Sequence, residues 1–102
     1  MQGKDNGMKR DSLPLLIFFR AAHSGPARRM ESLVAHVART ERDRLQVRQV
    51  DVDEEPELAE HFRVQTVPTL ALVKGKRVVE RLEGRVSAPG IERMLEPHLG
   101  AV

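Results

Sequence analysis

Apolar side chains along this chain fall into two patterns, short continuous runs and helix-spaced stripes, which together predict a mixed α/β domain. Leu13–Phe19 is a near-continuous apolar run, which is typical of a central strand buried on both faces. From Pro26 to about Thr40 the apolar side chains recur every three or four residues, which predicts a helix with one buried face. That stripe consists of Met30, Leu33, Val34, Val37 and Ala38.

The middle of the chain adds a second strand and a short helix. Leu45–Asp53 predicts the strand, and Glu55-Pro56 opens a helix whose apolar side chains are Leu58, Ala59 and Phe62. Since the first two strands are joined through a helix, we expect them to run parallel with a right-handed crossover.

The last third of the chain predicts a hairpin and a final helix. Leu70–Val73 and Arg77–Leu82 are strands joined across Lys74–Lys76, a sequence typical of a tight turn. Ser87 predicts the cap of a helix that ends at Gly100. Its inward side chains are Ile91, Met94, Leu95 and Leu99. The predicted order is βαβαββα, a mixed four-stranded sheet with helices on both faces.

Length and the start of the chain indicate one domain with a short polar extension. The 102 residues suffice for a single hydrophobic core. Residues 1–12 are polar and predict a flexible tail, which leaves residues 13–102 as the domain. The tail lacks the apolar stretch of a secretory signal, and no apolar run approaches the ~20 residues of a membrane span. We therefore expect a cytoplasmic protein that does not enter a membrane.

Charge and composition argue against several function classes. The net charge is only +2, and no aromatic side chains interleave with the basic ones, so we expect no nucleic-acid partner. The chain contains no cysteine, which removes disulfides, thiolate metal sites and thiol chemistry. His36, His61 and His98 lie at spacings unrelated to a zinc site, and the acidic residues of 51–55 suit a strand end followed by a helix. We therefore predict no metal and no cofactor.

The tetrapeptide Ser24-Gly25-Pro26-Ala27 stands between the first strand and the first helix, about forty residues before Thr66-Val67-Pro68-Thr69. This arrangement resembles the thioredoxin family, in which a strand leads into a Cys-Gly-Pro-Cys turn, a helix and a later proline whose preceding peptide bond is cis. The resemblance covers about residues 14–99 and implies a minimal thioredoxin fold without the family's N-terminal strand and helix. It also implies a cis bond between Val67 and Pro68.

The same resemblance implies that the redox chemistry of the family is lost. It places Ser24 and Ala27 at the positions of the attacking and resolving cysteines, and His23 at that of the preceding tryptophan. The family's buried carboxylate falls on Phe18 and its lysine partner on Gln49. A serine is a poor nucleophile without a positioned base. Ser24 is better explained as a helix cap, and His23 as an exposed turn residue.

The resemblance further implies a groove in which the residue before the cis-proline offers its backbone to an extended partner chain. Arg28, Arg29 and Arg85 would give that groove a basic rim, although solubility would explain three arginines equally well. Pro68 serves either the fold alone or the fold and a partner. The predicted groove residues are His23, Ser24, Gly25, Pro26, Thr66, Val67, Pro68, Gly84 and Arg85.

Two classes of function remain. We favour a redox-inactive, non-enzymatic module that binds a protein or an extended peptide. The alternative is a glutathione-binding or transferase-like enzyme, which would use Ser24 to hold the glutathione thiolate, but 102 residues leave no room for the helical second domain of such enzymes. Family resemblance by itself would suggest thioredoxin's role in cell redox homeostasis, and the missing cysteines argue against that activity.

Overall fold

Four strands form one mixed sheet in the order β2-β1-β3-β4 in the computed structural model, which describes residues 13–22 and 25–99. The strands are β1 (Leu15–Arg20), β2 (Gln46–Asp51), β3 (Thr69–Lys74) and β4 (Arg77–Glu83). The helices are α1 (Gly25–Thr40), α2 (Pro56–His61) and α3 (Ala88–Leu95), and a 3-10 turn at Glu96–His98 follows α3. The predicted element order and mixed sheet are confirmed.

The register of the strands brings three connecting segments to the same end of the sheet. β1 runs parallel to β2 and antiparallel to β3, which is antiparallel to β4. Phe19 near the end of β1 pairs with Thr69 at the start of β3, and Thr69 pairs with Glu83 at the end of β4. The segments after β1, before β3 and after β4 therefore emerge side by side.

One face of the sheet is covered by α1 and α3. Phe18 and Leu70 from the strands pack into one cluster with Val34 of α1 and Ile91 of α3, and all four side chains are fully buried. The helical stripes predicted from the sequence add further members of this cluster. These include Met30, Val37, Met94 and Leu95.

The opposite face is covered by α2. Phe19 and Val50 are completely buried there, and the Phe19 ring lies 5.5 Å from that of Phe62, which follows the helix. Leu58 of α2 packs against the same cluster. Helices on both faces of the sheet are thus confirmed.

Helix α2 is held at its C-terminal end by a side chain from β4. Arg81 donates from Nη2 to the carbonyl oxygens of Phe62 at 2.7 Å and Arg63 at 2.8 Å. Arg63 adopts a left-handed conformation with φ at +56°, which ends the helix. An isolated helix of six residues does not persist in water, so contacts of this kind stabilise α2.

Several predicted boundaries were wrong: β1 begins at Leu15 rather than Leu13, and three other elements end earlier than predicted. β2 ends at Asp51 rather than Asp53, because the Asp51 Oδ1 accepts from the Asp53 N–H at 2.8 Å and turns the chain. α2 ends at His61, so Phe62 lies just beyond it. α3 ends at Leu95, because Pro97 has no N–H to continue an α-helix. Gly100, the predicted end, lies outside the described residues.

The predicted cap of α3 is confirmed, because the Ser87 Oγ accepts from the Gly90 N–H at 3.3 Å. Within residues 13–22 and 25–99, the helices are too short or too polar to span a bilayer.

Candidate functional site

The candidate site lies at the end of the sheet where β1, β3 and β4 meet. The chain leaves β1 at Arg20 and enters α1 at Gly25, while Pro68 immediately precedes β3 and Gly84 immediately follows β4. Because Phe19, Thr69 and Glu83 pair in register, the sheet brings the Pro68 and Gly84 segments beside the one that leads into α1.

The loop before β3 contains a cis peptide bond between Val67 and Pro68, which confirms the expectation from the sequence. Two hydrogen bonds fix this loop. The Gly84 N–H donates to the Pro68 carbonyl at 2.8 Å, and the Thr69 hydroxyl donates to the Thr66 carbonyl at 2.7 Å. Pro68 and Thr69 are almost fully buried, so the loop is anchored in the sheet rather than suspended above it.

Val67 is the residue of this loop whose backbone is left available. Within residues 13–22 and 25–99, its N–H and its C=O make no hydrogen bond. Its side chain is half-buried, and Thr66 beside it is exposed. An N–H and a C=O on a fixed, accessible loop can pair with the backbone of an extended chain.

Gly84 closes the loop from the β4 side and requires glycine for its backbone. Its φ is +85°, a region that side-chain-bearing residues rarely adopt. A Cβ built there meets no other atom within 4 Å, so the requirement is conformational and not one of space. The next residue, Arg85, is exposed.

The remaining predicted groove residues are placed only in part. Gly25 is the first residue of α1 and Pro26 follows it within the helix, but His23 and Ser24 lie outside the described residues. Their predicted roles as turn residue and helix cap therefore stay predictions. Of the predicted basic rim, Arg28 and Arg29 are exposed near the start of α1, as Arg85 is after β4.

A group of charges at the same end of the sheet was missed by the sequence analysis. The Arg20 Nε lies 2.7 Å from the Glu31 Oε2, and its Nη1 lies 3.7 Å from the Asp51 Oδ2. The Arg20 side chain is 22% exposed, so these pairs are partly shielded from water. They connect β1 to α1 and to β2, and no local pattern in the sequence signals contacts between residues so far apart along the chain.

A depression of about 420 Å³ begins one residue before Thr66 and has both apolar and polar lining. The apolar residues are Val52, Pro56, Ala59 and Val64, and the polar ones are Glu60, Arg63 and Gln65.

The histidines that the sequence set aside as ligands are separate in the fold. The His98 Nε2 lies 3.2 Å from the Glu80 Oε2, the His61 and Phe62 rings lie 5.2 Å apart in a T-shaped arrangement, and His36 is exposed on α1. Across the part of the chain that the structure describes, no group of three or more His, Asp or Glu side chains is arranged to hold a metal ion.

Comparisons with known proteins agree with this architecture. The family model described as thioredoxin matches residues 5–97. Thioredoxin 1 of a Nostoc species is 30% identical over 102 residues, which cover 96% of this chain and 95% of that protein. The thioredoxin of Alicyclobacillus acidocaldarius is 37% identical over 82 residues, covering 80% of this chain and 78% of that protein. The crystal structure of the germline-specific thioredoxin Deadhead of Drosophila melanogaster superposes with a TM-score of 0.82 at 25% identity, covering 93% of this chain and 90% of that one.

Proposed function

Because this chain belongs to the thioredoxin family and yet contains no cysteine, we propose that it is a redox-inactive module that binds an extended segment of a partner protein. Thiol–disulfide exchange begins with attack by a thiolate on a disulfide sulfur. The resemblance places Ser24 and Ala27 at the positions of the two reacting cysteines, and neither side chain can take part in that exchange.

The free backbone of Val67 is the observation that carries this proposal. A loop that is hydrogen-bonded on both sides presents an N–H and a C=O that have no partner among residues 13–22 and 25–99. An extended chain that pairs with both groups adds a short strand-like contact to the end of the sheet. The loop is already fixed, so little conformational entropy is lost on its side of the complex.

The surroundings suit a peptide better than a small polar molecule. The apolar part of the depression, at Val52, Pro56 and Val64, offers a place for an apolar side chain of the bound chain. The exposed Arg85 offers a cation to an acidic residue of the bound chain. Backbone pairing supplies affinity, and these two features supply sequence preference.

The test alters the ligand so that the protein stays intact. Twelve-residue peptides are selected from a displayed random library, and their binding to the 15N-labelled full chain is followed by NMR. We expect shifts of the Thr66, Val67 and Gly84 amides. N-methylation of the peptide at the residues that face Val67 should weaken binding about tenfold, because it removes the donor to the Val67 carbonyl.

A parallel titration with reduced glutathione addresses the enzymatic alternative. Saturable shifts of the same amides by glutathione, with no peptide able to produce them, would favour a glutathione-dependent function. Peptides whose binding is insensitive to N-methylation, or which shift amides elsewhere, would contradict backbone pairing at Val67.

A further inference from the structure

A second concavity lies on the face of the sheet that α2 covers, at the hairpin end, away from the Pro68 loop. It has a volume of about 510 Å³ and is bounded by β3, β4 and the segment that ends α2. Its lining consists of apolar and basic side chains and contains no carboxylate. The lining residues are His61, Phe62, Arg63, Val73, Lys76, Val78 and Arg81.

The floor of this concavity is apolar and incompletely buried. Val73 and Val78 pair across the β3–β4 ladder and share a face of the sheet. Val78 is 42% exposed, and among the residues that the structure describes it is the large hydrophobic side chain left in the exposed class. Phe62 borders the same floor and is half-buried. Covering these side chains with another apolar group would remove water from all three.

The rim of the concavity is cationic and not neutralised by the fold. Arg63 and Lys76 make no ion pair with any of residues 13–22 and 25–99. Lys74 and Arg77, which flank the turn of the hairpin, are likewise exposed. Arg81 is fixed by the two carbonyls at the end of α2, and its Nε lies 3.3 Å from the Glu83 Oε2.

A concavity between α1 and α3 shows that this charge pattern is not general. It measures about 450 Å³, and its rim carries both signs, with Arg44 paired to Glu41 at 2.7 Å and with Glu92 and Glu96 nearby. The mixed charges of its rim indicate no preference for an acidic or a basic ligand. At the hairpin end, all the charges that line the concavity have one sign, so charge complementarity identifies the occupant as acidic.

We propose that the surface formed by Phe62, Arg63, Val73, Lys76 and Val78 docks an acidic segment of a partner protein that carries a large apolar side chain. The apolar side chain covers Val73, Val78 and the Phe62 ring, and flanking carboxylates pair with Arg63 and Lys76. A nucleic acid fits less well, because the floor is mainly aliphatic and offers no series of aromatic rings for base stacking. This surface goes beyond the proposed function, since its floor lies on β3 and β4 near the turn of the hairpin and none of its lining residues belongs to the Pro68 loop. Arg63 alone also lines the depression beside Gln65.

The probe is a synthetic peptide, Glu-Glu-Glu-Leu-Glu-Glu-Glu with blocked ends, titrated into the 15N-labelled full chain. Shifts are expected at the Phe62, Val73 and Val78 amides and not at Thr66, Val67 or Gly84. Replacing the leucine of the peptide with serine should weaken binding at least about fivefold, because the apolar contact is lost. Raising the salt concentration from about 50 mM to about 300 mM should weaken it further, as exposed ion pairs are screened.

Two double variants with the same change in net charge distinguish binding at this surface from non-specific attraction of the acidic peptide to the protein. Arg63→Glu with Lys76→Glu should weaken binding about tenfold or more. Arg42→Glu with Arg93→Glu makes the same change in net charge at exposed positions that do not line the concavity and should alter binding less than twofold. Val78→Thr, which keeps the shape of the side chain, provides a further variant should the double reversal disturb the fold.

Equal weakening by the two charge-reversed pairs would overturn the proposal, as would unchanged binding of the serine peptide. Tighter binding at the same amides by a single-stranded oligonucleotide or by vesicles containing phosphatidylserine would assign the surface to another class of partner. Because the amides at Val67 are followed in the same spectra, failure here is distinguishable from failure of the proposed peptide groove.

Discussion

Phe18 on β1 lies directly opposite Gln49 on β2 in the parallel ladder, with Phe18 fully buried and Gln49 exposed. The resemblance to thioredoxins places a proton-transferring carboxylate and its lysine partner at these two positions. A phenyl ring and a neutral amide do not exchange protons at neutral pH. If the resemblance holds at these positions, the proposed redox inactivity rests on the interior of the sheet as well as on the turn at Ser24–Ala27.

The first prediction is that the purified chain does not reduce disulfides. The protein has no thiol, so insulin reduction by dithiothreitol should proceed at the rate of the protein-free control. The measurement is the onset of insulin turbidity, with an ordinary thioredoxin as the positive control. A reproducible acceleration by this chain would contradict the proposed redox inactivity.

The second prediction concerns restoration of the cysteines. The double variant Ser24→Cys/Ala27→Cys should form a disulfide, because its cysteines take the spacing of the family turn at the start of α1. The helix N-terminus should favour the thiolate at position 24. Insulin reduction should nevertheless be weak, because Phe18 and Gln49 provide no group to move the proton. Adding Phe18→Asp should raise turnover.

The matched control for that series is the double variant with Phe18→Leu, which changes the same buried position without adding an acid. Turnover of the double variant equal to that of a normal thioredoxin would show that the change at Phe18 is neutral for redox chemistry. The aspartate variant is also expected to lose about 3 kcal/mol or more of unfolding free energy, because a buried ring is replaced by a group that prefers water. Urea unfolding measures that loss.

The third prediction contrasts two glycines. Gly84→Ala should lower the free energy of unfolding by about 1–2 kcal/mol, because alanine at a φ of +85° is strained although the space around it is open. Gly90→Ala should be neutral or stabilising by up to about 1 kcal/mol. Its Cβ would lie 3.6 Å from that of Val86, an ordinary contact within the first turn of α3. Equal effects of the two changes in urea unfolding would show that Gly84 is not conformationally required.

The fourth prediction concerns the hydrogen bonds by which Arg81 of β4 stabilises the end of α2. Arg81→Gln should lower the free energy of unfolding by about 1–3 kcal/mol, because two carbonyls at the end of the helix lose a charged donor. Arg77→Gln, at an exposed position of the same strand, should change it by less than about 0.5 kcal/mol. Amide exchange at Phe62 and Val64 should accelerate in the first variant only.

The regular elements could be predicted because each is encoded locally. The spacing of apolar residues within each segment is enough to identify β1 as a strand and α1 as a helix. Ser87 caps α3 with its own hydroxyl, which accepts from an N–H three residues later. The loop at Val67–Pro68 was predictable from the family resemblance, which also gave its cis bond. The errors at Asp51 and Pro97 arose where a side-chain turn or a missing N–H ended an element before its apolar pattern ended.

The contacts that fix these elements relative to one another could not be predicted in the same way. Arg81 reaches the end of α2 from β4, and Arg20 reaches Glu31 across the start of α1. Each pair forms only after the sheet has set the register, and the chain contains many other arginines and glutamates with equal intrinsic preference. The basic concavity is a similar case, because its lining comes from three separate elements.

Strand β4 forms one edge of the sheet, and this position bears on how the protein behaves at high concentration. An edge strand can template pairing with another molecule, which leads to aggregation. Four of the seven residues of β4, Arg77, Glu80, Arg81 and Glu83, are charged, and a register shift at Leu72/Val73 interrupts its ladder with β3. Charges and irregularities of this kind disfavour hydrogen-bonded pairing of one sheet edge with another. The domain can therefore leave the N–H and C=O of Val67 unpaired at one end of the sheet while its edge at β4 resists self-association.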